Sequence, residues 1–282
     1  MKFSFYIFLL ISTFTLNATT PYIKEIEPAI LEVIYSRKQV TDTTLRDNRF
    51  FVDDVLLRIG NNKSLFCGVK KLWEDSIAKV DYATYSNLLK ASYEKDKKDF
   101  FFLGGKYWSY IYKNKQVNEV IECDIFDMSY WKYKEQLQIP VWTITDSIKN
   151  CLGYDCVMAT AKFRGRKWIA WFTPEIPISD GPWKLCGLPG LILEAYDINH
   201  DYEFTPKVLY TTGIGPVGYM WYTPEDNYFN VSRDQFFKEW RKCKSQNQAA
   251  KIKAAYNIKS SSPPKLKRVI QYDREETDYP HE

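Results

Sequence analysis

The feature that most constrains the fold of this chain is a series of paired segments in which apolar and polar residues alternate. In residues 155–173, the alternation runs up to a turn at Arg164-Gly165 and continues after it from Trp168 to Phe172. Alternation with a period of two across a short turn is typical of a β-hairpin. The same form recurs in residues 53–70, 105–126 and 191–210. Successive hairpins predict a mainly β fold of the α+β class, built on a large curved antiparallel sheet.

Two segments show helical spacing instead. Residues 82–94 place apolar side chains three and four positions apart. A second helix is predicted over residues 232–255, where Ser232 and Gln235 form a capping box. Because its apolar residues lie on one face, this C-terminal helix is expected to pack on the sheet. That face consists of Phe236, Phe237, Trp240 and Cys243.

The composition is that of a globular protein with a large core. Hydrophobic residues make up 45% of the chain and aromatic residues 17%, which excludes disorder for most of it.

No repeat or linker interrupts residues 19–258, so we predict a single domain there. Residues 259–282 are charged and interrupted by prolines, which favours a flexible tail. The net charge of +4 is small for this length, so no nucleic-acid partner is predicted.

The first residues indicate export. Residues 1–18, MKFSFYIFLLISTFTLNA, combine one lysine with an apolar run and end at Ala18, as a cleaved signal peptide does. The run is too short to span a bilayer. An oxidising compartment favours disulfides among the six cysteines. Spacing does not choose among the pairings that six cysteines allow. Cys156 and Cys186 flank a predicted hairpin and are the favoured pair, and a bridge between them would be worth about 3–4 kcal/mol by loop entropy.

Residues 181–197, GPWKLCGLPGLILEAYD, concentrate glycine and proline at one point of the chain. Pro189 and Gly190 suit the central positions of a type II turn, with positive φ expected at Gly190. The glycines do not form a phosphate-binding loop, because neither known glycine pattern is present and a strand follows. We interpret this stretch as a structural corner, with contact to a partner as the alternative.

The hexapeptide within that corner carries a family resemblance. It consists of Gly187, Leu188, Pro189, Gly190, Leu191 and Ile192. With the preceding LGYDCVMATAKFRGRKWIAWFTPEIPISDGPWKL and the upstream IGNNKSLF, it resembles the GLPGLI (Porph_ging-type) family of exported bacterial proteins. The resemblance is closest from Leu152 to Phe204 and looser from Val33 to Ser147. It implies the periplasm or cell envelope of a Gram-negative bacterium, and it carries over no catalytic residue.

The succession of hairpins also resembles the curved half-barrel of LolA-type periplasmic carriers, which hold acyl chains on a concave face. That resemblance lies at the level of the fold alone. It implies an apolar ligand held by aromatic side chains of the sheet, which otherwise are ordinary core residues. The residues that would line such a site are Trp108, Tyr110, Tyr112, Trp168 and Trp171.

Catalytic and metal-binding patterns are sparse. The chain has two histidines, His200 and His281, so a histidine-based triad or zinc site has little support. Residues 197–201 resemble the opening of a calcium loop, but the glycine and the final glutamate that such a loop needs are missing. Glu175 and Asp180 stay open as the acid and nucleophile of a carboxylate-based hydrolase. No metal site and no cofactor is predicted.

From Lys238 to Arg268, ten basic residues stand against one acidic residue, Glu239. This run (238–268) is expected either to contact anionic lipid or an acidic partner, or to form a solvated helix face.

Together these features predict an exported, non-enzymatic binding or envelope-accessory protein, with an apolar lipid or peptide as its ligand. The alternatives are an envelope enzyme and a structural envelope component.

Overall fold

The structure is a computed structural model that describes residues 24–96, 105–127, 129–219, 227–245 and 274–280. The predicted signal peptide therefore lies outside the described residues. The strands are β1 Lys24–Glu27, β2 Ala29–Val40, β3 Phe50–Gly60, β4 Lys63–Gly68, β5 Tyr110–Asn114, β6 Glu119–Phe126, β7 Ser129–Gln136, β8 Thr143–Cys151, β9 Tyr154–Phe163, β10 Arg166–Thr173, β11 Leu191–Asp197, β12 Tyr202–Tyr210, β13 Val217–Tyr219 and β14 Tyr228–Val231. The helices are α1 Val69–Val80, α2 Tyr82–Asp96 and α3 Arg233–Ser245.

Twelve of the strands form one sheet in the order β14-β7-β6-β5-β4-β3-β2-β12-β11-β10-β9-β8. Neighbouring strands are antiparallel except for β14, which pairs with β7 in parallel. The order has two free ends, so the sheet is not closed into a barrel. β1 and β13 pair separately. The predicted mainly antiparallel fold with a C-terminal helix is thus confirmed, whereas the likeness to LolA carriers stays a prediction.

The hairpins follow the predicted alternation. Across the β9–β10 turn, Ala161 lies opposite Trp168 and Ala159 opposite Ala170. β3–β4 and β11–β12 are likewise antiparallel pairs. The predicted hairpin extended to Lys70. In the structure β4 ends at Gly68 and α1 begins at Val69, so the last two residues of the predicted strand belong to the helix. No helix among the described residues is long and apolar enough to cross a membrane.

The main core lies on one face of the sheet and is covered by the chain itself. Residues 174–190, here called the arm, connect β10 to β11 and lie over this face. Trp183 of the arm stacks on Trp168 of β10 with ring centroids 5.5 Å apart. The Tyr35 hydroxyl on β2 donates a hydrogen bond to the Ile192 carbonyl at 2.8 Å. The arm is therefore part of the core and not a surface loop.

α3 packs against β7 as predicted for the C-terminal helix. Its first turn is capped by Ser232, whose hydroxyl accepts a hydrogen bond from the Gln235 amide at 3.2 Å. The ring of Phe236 lies 4.7 Å from that of Tyr133 on β7. Phe236, Phe237, Trp240 and Cys243 are all buried, so the predicted apolar face is confirmed. The predicted continuation to residue 255 lies outside the described residues.

The predicted Cys156–Cys186 disulfide is not present. All six cysteines are buried, free thiols. Cys156 faces Lys149 across the β8–β9 ladder, and its thiol lies beside that of Cys151. Cys186 is in the arm, where its carbonyl accepts a hydrogen bond from the indole N–H of Trp142 at 2.7 Å. Cys151 lies beside Cys156 because the short β8–β9 turn joins the two strands that carry them.

Candidate functional site

The most highly charged buried region of the described chain is a cleft between the sheet, the arm and the start of α3. We call it the ionic cleft. It is occupied by residues 274–280, here called the REETDYP segment, in which Glu275 and Glu276 are only 2% and 1% exposed. The prediction of a flexible tail over 259–282 is therefore wrong for residues 274–280. The charged wall residues of the ionic cleft are Arg37, Glu122, Asp124, Glu135, Arg164, Lys184 and Arg233.

Glu276 is the centre of the contacts between segment and walls. Its carboxylate lies 2.7 Å from Lys184 Nζ and forms a close ion pair with Arg233. The guanidinium of Arg164 adds a longer contact of 3.8 Å. Lys184 also lies 3.0 Å from a carboxylate oxygen of both Glu122 and Glu135. One ammonium thus joins the segment to two strands, β6 and β7.

The two residues before Glu276 are held from opposite sides. The Glu275 carboxylate accepts hydrogen bonds from Arg37 on β2 at 2.5 and 3.0 Å. Arg274 reaches the other way and lies 2.5 Å from Glu122 and 2.7 Å from Asp124 on β6. Because Arg37 is on β2 and Glu122 on β6, with three strands between them, these two residues of the segment bridge several strands of the sheet.

The second half of the segment lies against the β9–β10 turn and α3. The Thr277 amide donates a hydrogen bond to the Arg164 carbonyl at 2.9 Å. A Cβ atom on Gly165 would lie 2.1 Å from the Thr277 hydroxyl oxygen, so the turn approaches the segment as closely as only glycine allows. Tyr279 stacks on Phe237 of α3 with centroids 4.2 Å apart. The segment thus ends in an aromatic contact.

The charges of the cleft stabilise each other. Burial opposes ionisation of Glu276, but Lys184 and Arg233 outweigh it and lower the pKa of this carboxyl from 4.5 to about 2. The pKa of Glu275 is also lowered, because Arg37 and Arg274 outweigh its burial. Burial acts to lower the pKa of Lys184, yet Glu276 and the neighbouring glutamates raise it above its ordinary value. These groups are therefore charged at neutral pH.

The arm positions Lys184. Trp183 has φ of 53°, a left-handed conformation that is unfavourable for a bulky residue, and its ring is fixed between Trp168 and Phe163. The next residue, Lys184, then enters the cleft. The other anchor of the arm is Asp180, which is fully buried and forms a close ion pair with Lys113 of β5.

The GLPGLI hexapeptide does not have the predicted turn geometry, while its role as a structural corner stays a prediction. Positive φ occurs at Gly187, at 91°, and not at Gly190. A Cβ atom on Gly190 would lie 2.1 Å from the Thr173 carbonyl oxygen. Gly190 is therefore required for close backbone approach to the end of β10 and not for a left-handed turn. Leu188, Leu191 and Ile192 are buried in the main core.

The five aromatic residues predicted to line an apolar site do not share one surface. Trp168 is fully buried in the main core. Tyr110 and Tyr112 belong to a second cluster under α1, where Tyr110 donates a hydrogen bond to Asp75. Trp171 is half-buried under Lys149, with Nζ 4.4 Å from its ring centroid, and the indole of Trp108 donates to Gly105. These residues are packing elements of separate regions.

The carboxylates that were open as a catalytic pair have different environments. Asp180 is buried, and although burial opposes it, Lys113 and Lys115 lower the pKa of its carboxyl. Glu175 is exposed and accepts a hydrogen bond from the Asp155 amide at 3.0 Å. A general acid needs a raised pKa, which Asp180 lacks.

In residues 197–201, which resemble the opening of a calcium loop, Asp197 and Asp201 face Arg166, at 3.2 and 3.6 Å.

The basic run 238–268 is described only as far as Ser245. On this part of α3, Lys242 lies 3.2 Å from Glu239, and Lys238 is exposed. The rest of the run lies outside the described residues, so contact with anionic lipid stays a prediction. The basic residues that the structure brings together come from four separate parts of the chain, and all four lie outside this run: Arg37, Arg164, Lys184 and Arg233.

Sequence reasoning missed the ionic cleft altogether. Each charged wall residue stands alone in an apolar or mixed segment, and no spacing links them. One signal was available: β7, with the sequence SYWKYKEQ, alternates residues as a strand does, but its buried face carries Tyr133 and the partly buried Glu135. A strand whose inward positions are polar indicates a polar partner on that side of the sheet.

Residues 164–194 match the Porph_ging family, described as a protein of unknown function. The match spans the β9–β10 turn, β10, the arm and the start of β11. A comparison with curated proteins gave no match. Among solved structures, "Structure of PNGF-II in P21 space group" and "Structure of PNGF-II in C2 space group" align over 74% of this chain with a TM-score of 0.49, at 12% and 13% identity. The chain spans about a third of those chains, 33% and 32%. The match over residues 164–194 confirms the likeness of this chain to the GLPGLI (Porph_ging) family that its sequence predicts.

Proposed function

We propose that the protein is an exported, non-enzymatic binding module whose binding site is the ionic cleft. The ligand would be an acidic peptide segment, and the location would be the periplasm or cell envelope of a Gram-negative bacterium. The proposal keeps the binding role predicted from the sequence but replaces the apolar ligand with a charged one. It is supported by the chemistry of the cleft and, for export, by residues 1–18.

One observation carries the proposal: the cleft holds a short peptide almost wholly through side chains. Arg274, Glu275 and Glu276 each contact charged wall residues, whereas the segment forms no strand of either sheet. Recognition of carboxylates by several arginines and a lysine is a common mode of acidic-peptide binding. The walls carry four cations and three carboxylates, so an acidic occupant is favoured over a neutral one.

The test is binding of a synthetic peptide to a chain whose own segment is weakened. In the full chain with Glu275→Gln and Glu276→Gln, we expect a labelled Arg-Glu-Glu-Thr-Asp-Tyr-Pro peptide to bind, as measured by fluorescence anisotropy. The matched control peptide, Arg-Gln-Gln-Thr-Asn-Tyr-Pro, should not bind, because it lacks the three carboxylates. Circular dichroism checks the fold, and the single variant Glu276→Gln serves if the double variant is unfolded.

A folded variant that binds both peptides equally, or neither, contradicts the proposal. Export is tested separately. The mass of the mature protein from its native cells should correspond to a chain that begins at Thr19, because cleavage is predicted after Ala18. A cytoplasmic protein that retains residues 1–18 would contradict that part of the proposal without affecting the binding site.

A further inference from the structure

Resting on the proposed function, we infer that the REETDYP segment is a tethered competitor, which must leave the ionic cleft before an external acidic peptide can bind. The segment and the walls are joined by ion pairs between side chains. The backbone of the segment adds three hydrogen bonds: the Thr277 amide donates to the Arg164 carbonyl, and the carbonyls of Arg274 and Asp278 accept from the side chains of Arg166 and Arg233. An external peptide of similar chemistry can therefore make the same contacts.

The pattern of contacts defines what such a ligand needs. Two consecutive carboxylates meet opposite sides of the cleft, Glu275 at Arg37 and Glu276 at Lys184. In the segment a third carboxylate, that of Asp278, lies two residues after Glu276 and pairs with Arg233. A ligand needs an acidic residue at the same position. A ligand also needs an aromatic residue directly after this acid, to stack on Phe237 as Tyr279 does. A basic residue directly before the two acids meets Glu122 and Asp124 as Arg274 does. The ligand class is thus a peptide with a basic residue, two adjacent acids, one further acid and an adjoining aromatic residue.

The tether gives the segment an advantage over a free peptide. Residues 246–273 join α3 to the segment, so binding in cis is intramolecular. Intramolecular binding corresponds to an effective concentration on the order of millimolar. A free peptide with equal contacts must approach that concentration to displace the segment. The cleft therefore selects ligands that are either abundant or bound more tightly than its own segment.

The experiment is to cut the tether in the folded protein. A protease recognition sequence is inserted after Ser260 in the full chain, the protein is cut, and gel filtration separates any released fragment. We expect the labelled acidic peptide to bind at least about 100-fold more tightly after the cut than before it. The matched control is the same chain with an uncleavable, scrambled insert, treated identically.

Each outcome has a distinct meaning. If the fragment is released and the affinity is unchanged, the segment does not compete, although the proposed binding site stands. If the fragment is released and no peptide binds before or after the cut, the proposed function fails as well. A fragment that stays bound through gel filtration shows that the segment is a fixed part of the fold, which overturns the inference. If the insert resists cutting, the full chain with Glu276→Gln must bind the peptide more tightly than the native chain, and equal affinity overturns the inference.

Discussion

At Glu276, three cations converge on one buried carboxylate. Lys184 and Arg233 form the close pairs and Arg164 the longer contact. A buried ion pair adds little net stability when formed, because desolvation offsets the attraction, but removing one partner leaves a buried charge without compensation. The segment is therefore sensitive to single substitutions at this residue.

We expect Glu276→Gln to weaken docking of the REETDYP segment by about 3 kcal/mol, the lower end of the cost of breaking a buried pair. The measurement is hydrogen exchange of the Thr277 amide, which is protected by its bond to Arg164. Asp54→Asn is the matched control, because Asp54 forms an exposed ion pair with Lys207 worth less than about 1 kcal/mol. Equal exchange in both variants would show that the carboxylate of Glu276 does not hold the segment.

The pKa of Glu276 also predicts a pH dependence. Its value is lowered from 4.5 to about 2 in the docked state, so ionisation of Glu276 favours docking. The stabilisation is fully present above about pH 5 and is lost as the pH falls from 4.5 towards 2. We expect the NMR signal of the Thr277 amide to change over this range and to stay constant between pH 6 and 8. A Thr277 amide signal that stays constant from pH 6 down to pH 2 would contradict this expectation.

At the scale of elements, sequence patterns predicted the strands that pair with their neighbours in the chain. The β3–β4, β9–β10 and β11–β12 hairpins were predictable because alternation and turn residues lie within twenty residues of each other. β7 was missed because its inward positions face the ionic cleft and are polar. β8 was missed because it is an edge strand with mostly exposed residues. α1 was missed because its buried residues include Lys71, Glu74 and Asp75.

Two hairpin turns form a matched pair for testing the docking of the segment. In the β9–β10 turn, Arg164 and Gly165 have φ of 53° and 79°, and in the β8–β9 turn, Leu152 and Gly153 have φ of 53° and 89°. A Cβ on Gly165 meets Thr277, whereas a Cβ on Gly153 meets nothing within 4 Å. We therefore expect Gly165→Ala and Gly153→Ala to strain their turns alike, by about 1 kcal/mol.

Only Gly165→Ala should also displace the REETDYP segment. The measurement is hydrogen exchange over residues 274–280, compared in the two variants. Faster exchange in Gly165→Ala alone is the expected result. If exchange over the segment is the same in both, the close approach of the turn does not contribute to docking, and the contacts of the side chains alone position the segment.

Over the whole molecule, two pieces of the chain pack against the sheet with different attachments, the arm and the REETDYP segment. The arm is covalently continuous with β10 and β11 and is anchored by Asp180 at Lys113. The REETDYP segment is anchored by side-chain ion pairs at its walls. We therefore expect the arm to unfold with the core and the segment to open on its own.

We expect Asp180→Asn to lower the free energy of global unfolding by about 3–5 kcal/mol, because Lys113 is fully buried and loses its counter-charge. Glu276→Gln should leave hydrogen exchange in the central strands unchanged. Urea denaturation and exchange of the β2 and β3 amides check the two expectations. A large global effect of Glu276→Gln would show that the segment and the core unfold as one unit.

The cleft could not be predicted from the sequence because its contacts join distant residues. Glu275 pairs with Arg37, 238 positions earlier, and REETDYP by itself has the composition of a solvated tail. Charge patterns identify nearby partners on one helix or strand, but they do not identify a partner brought close by the order of twelve strands. The corner around the hexapeptide was predictable because its glycine and proline residues act locally.

The position of the REETDYP segment also sets an order of events during synthesis. Every wall of the ionic cleft, from Arg37 to Arg233, is made before Arg274 leaves the ribosome, since chains are synthesised from the N-terminus. Until then, Arg37 lacks the carboxylate of Glu275, and Lys184 has Glu122 and Glu135 but not Glu276. Docking of the REETDYP segment is therefore expected to be the last step in forming the ionic cleft.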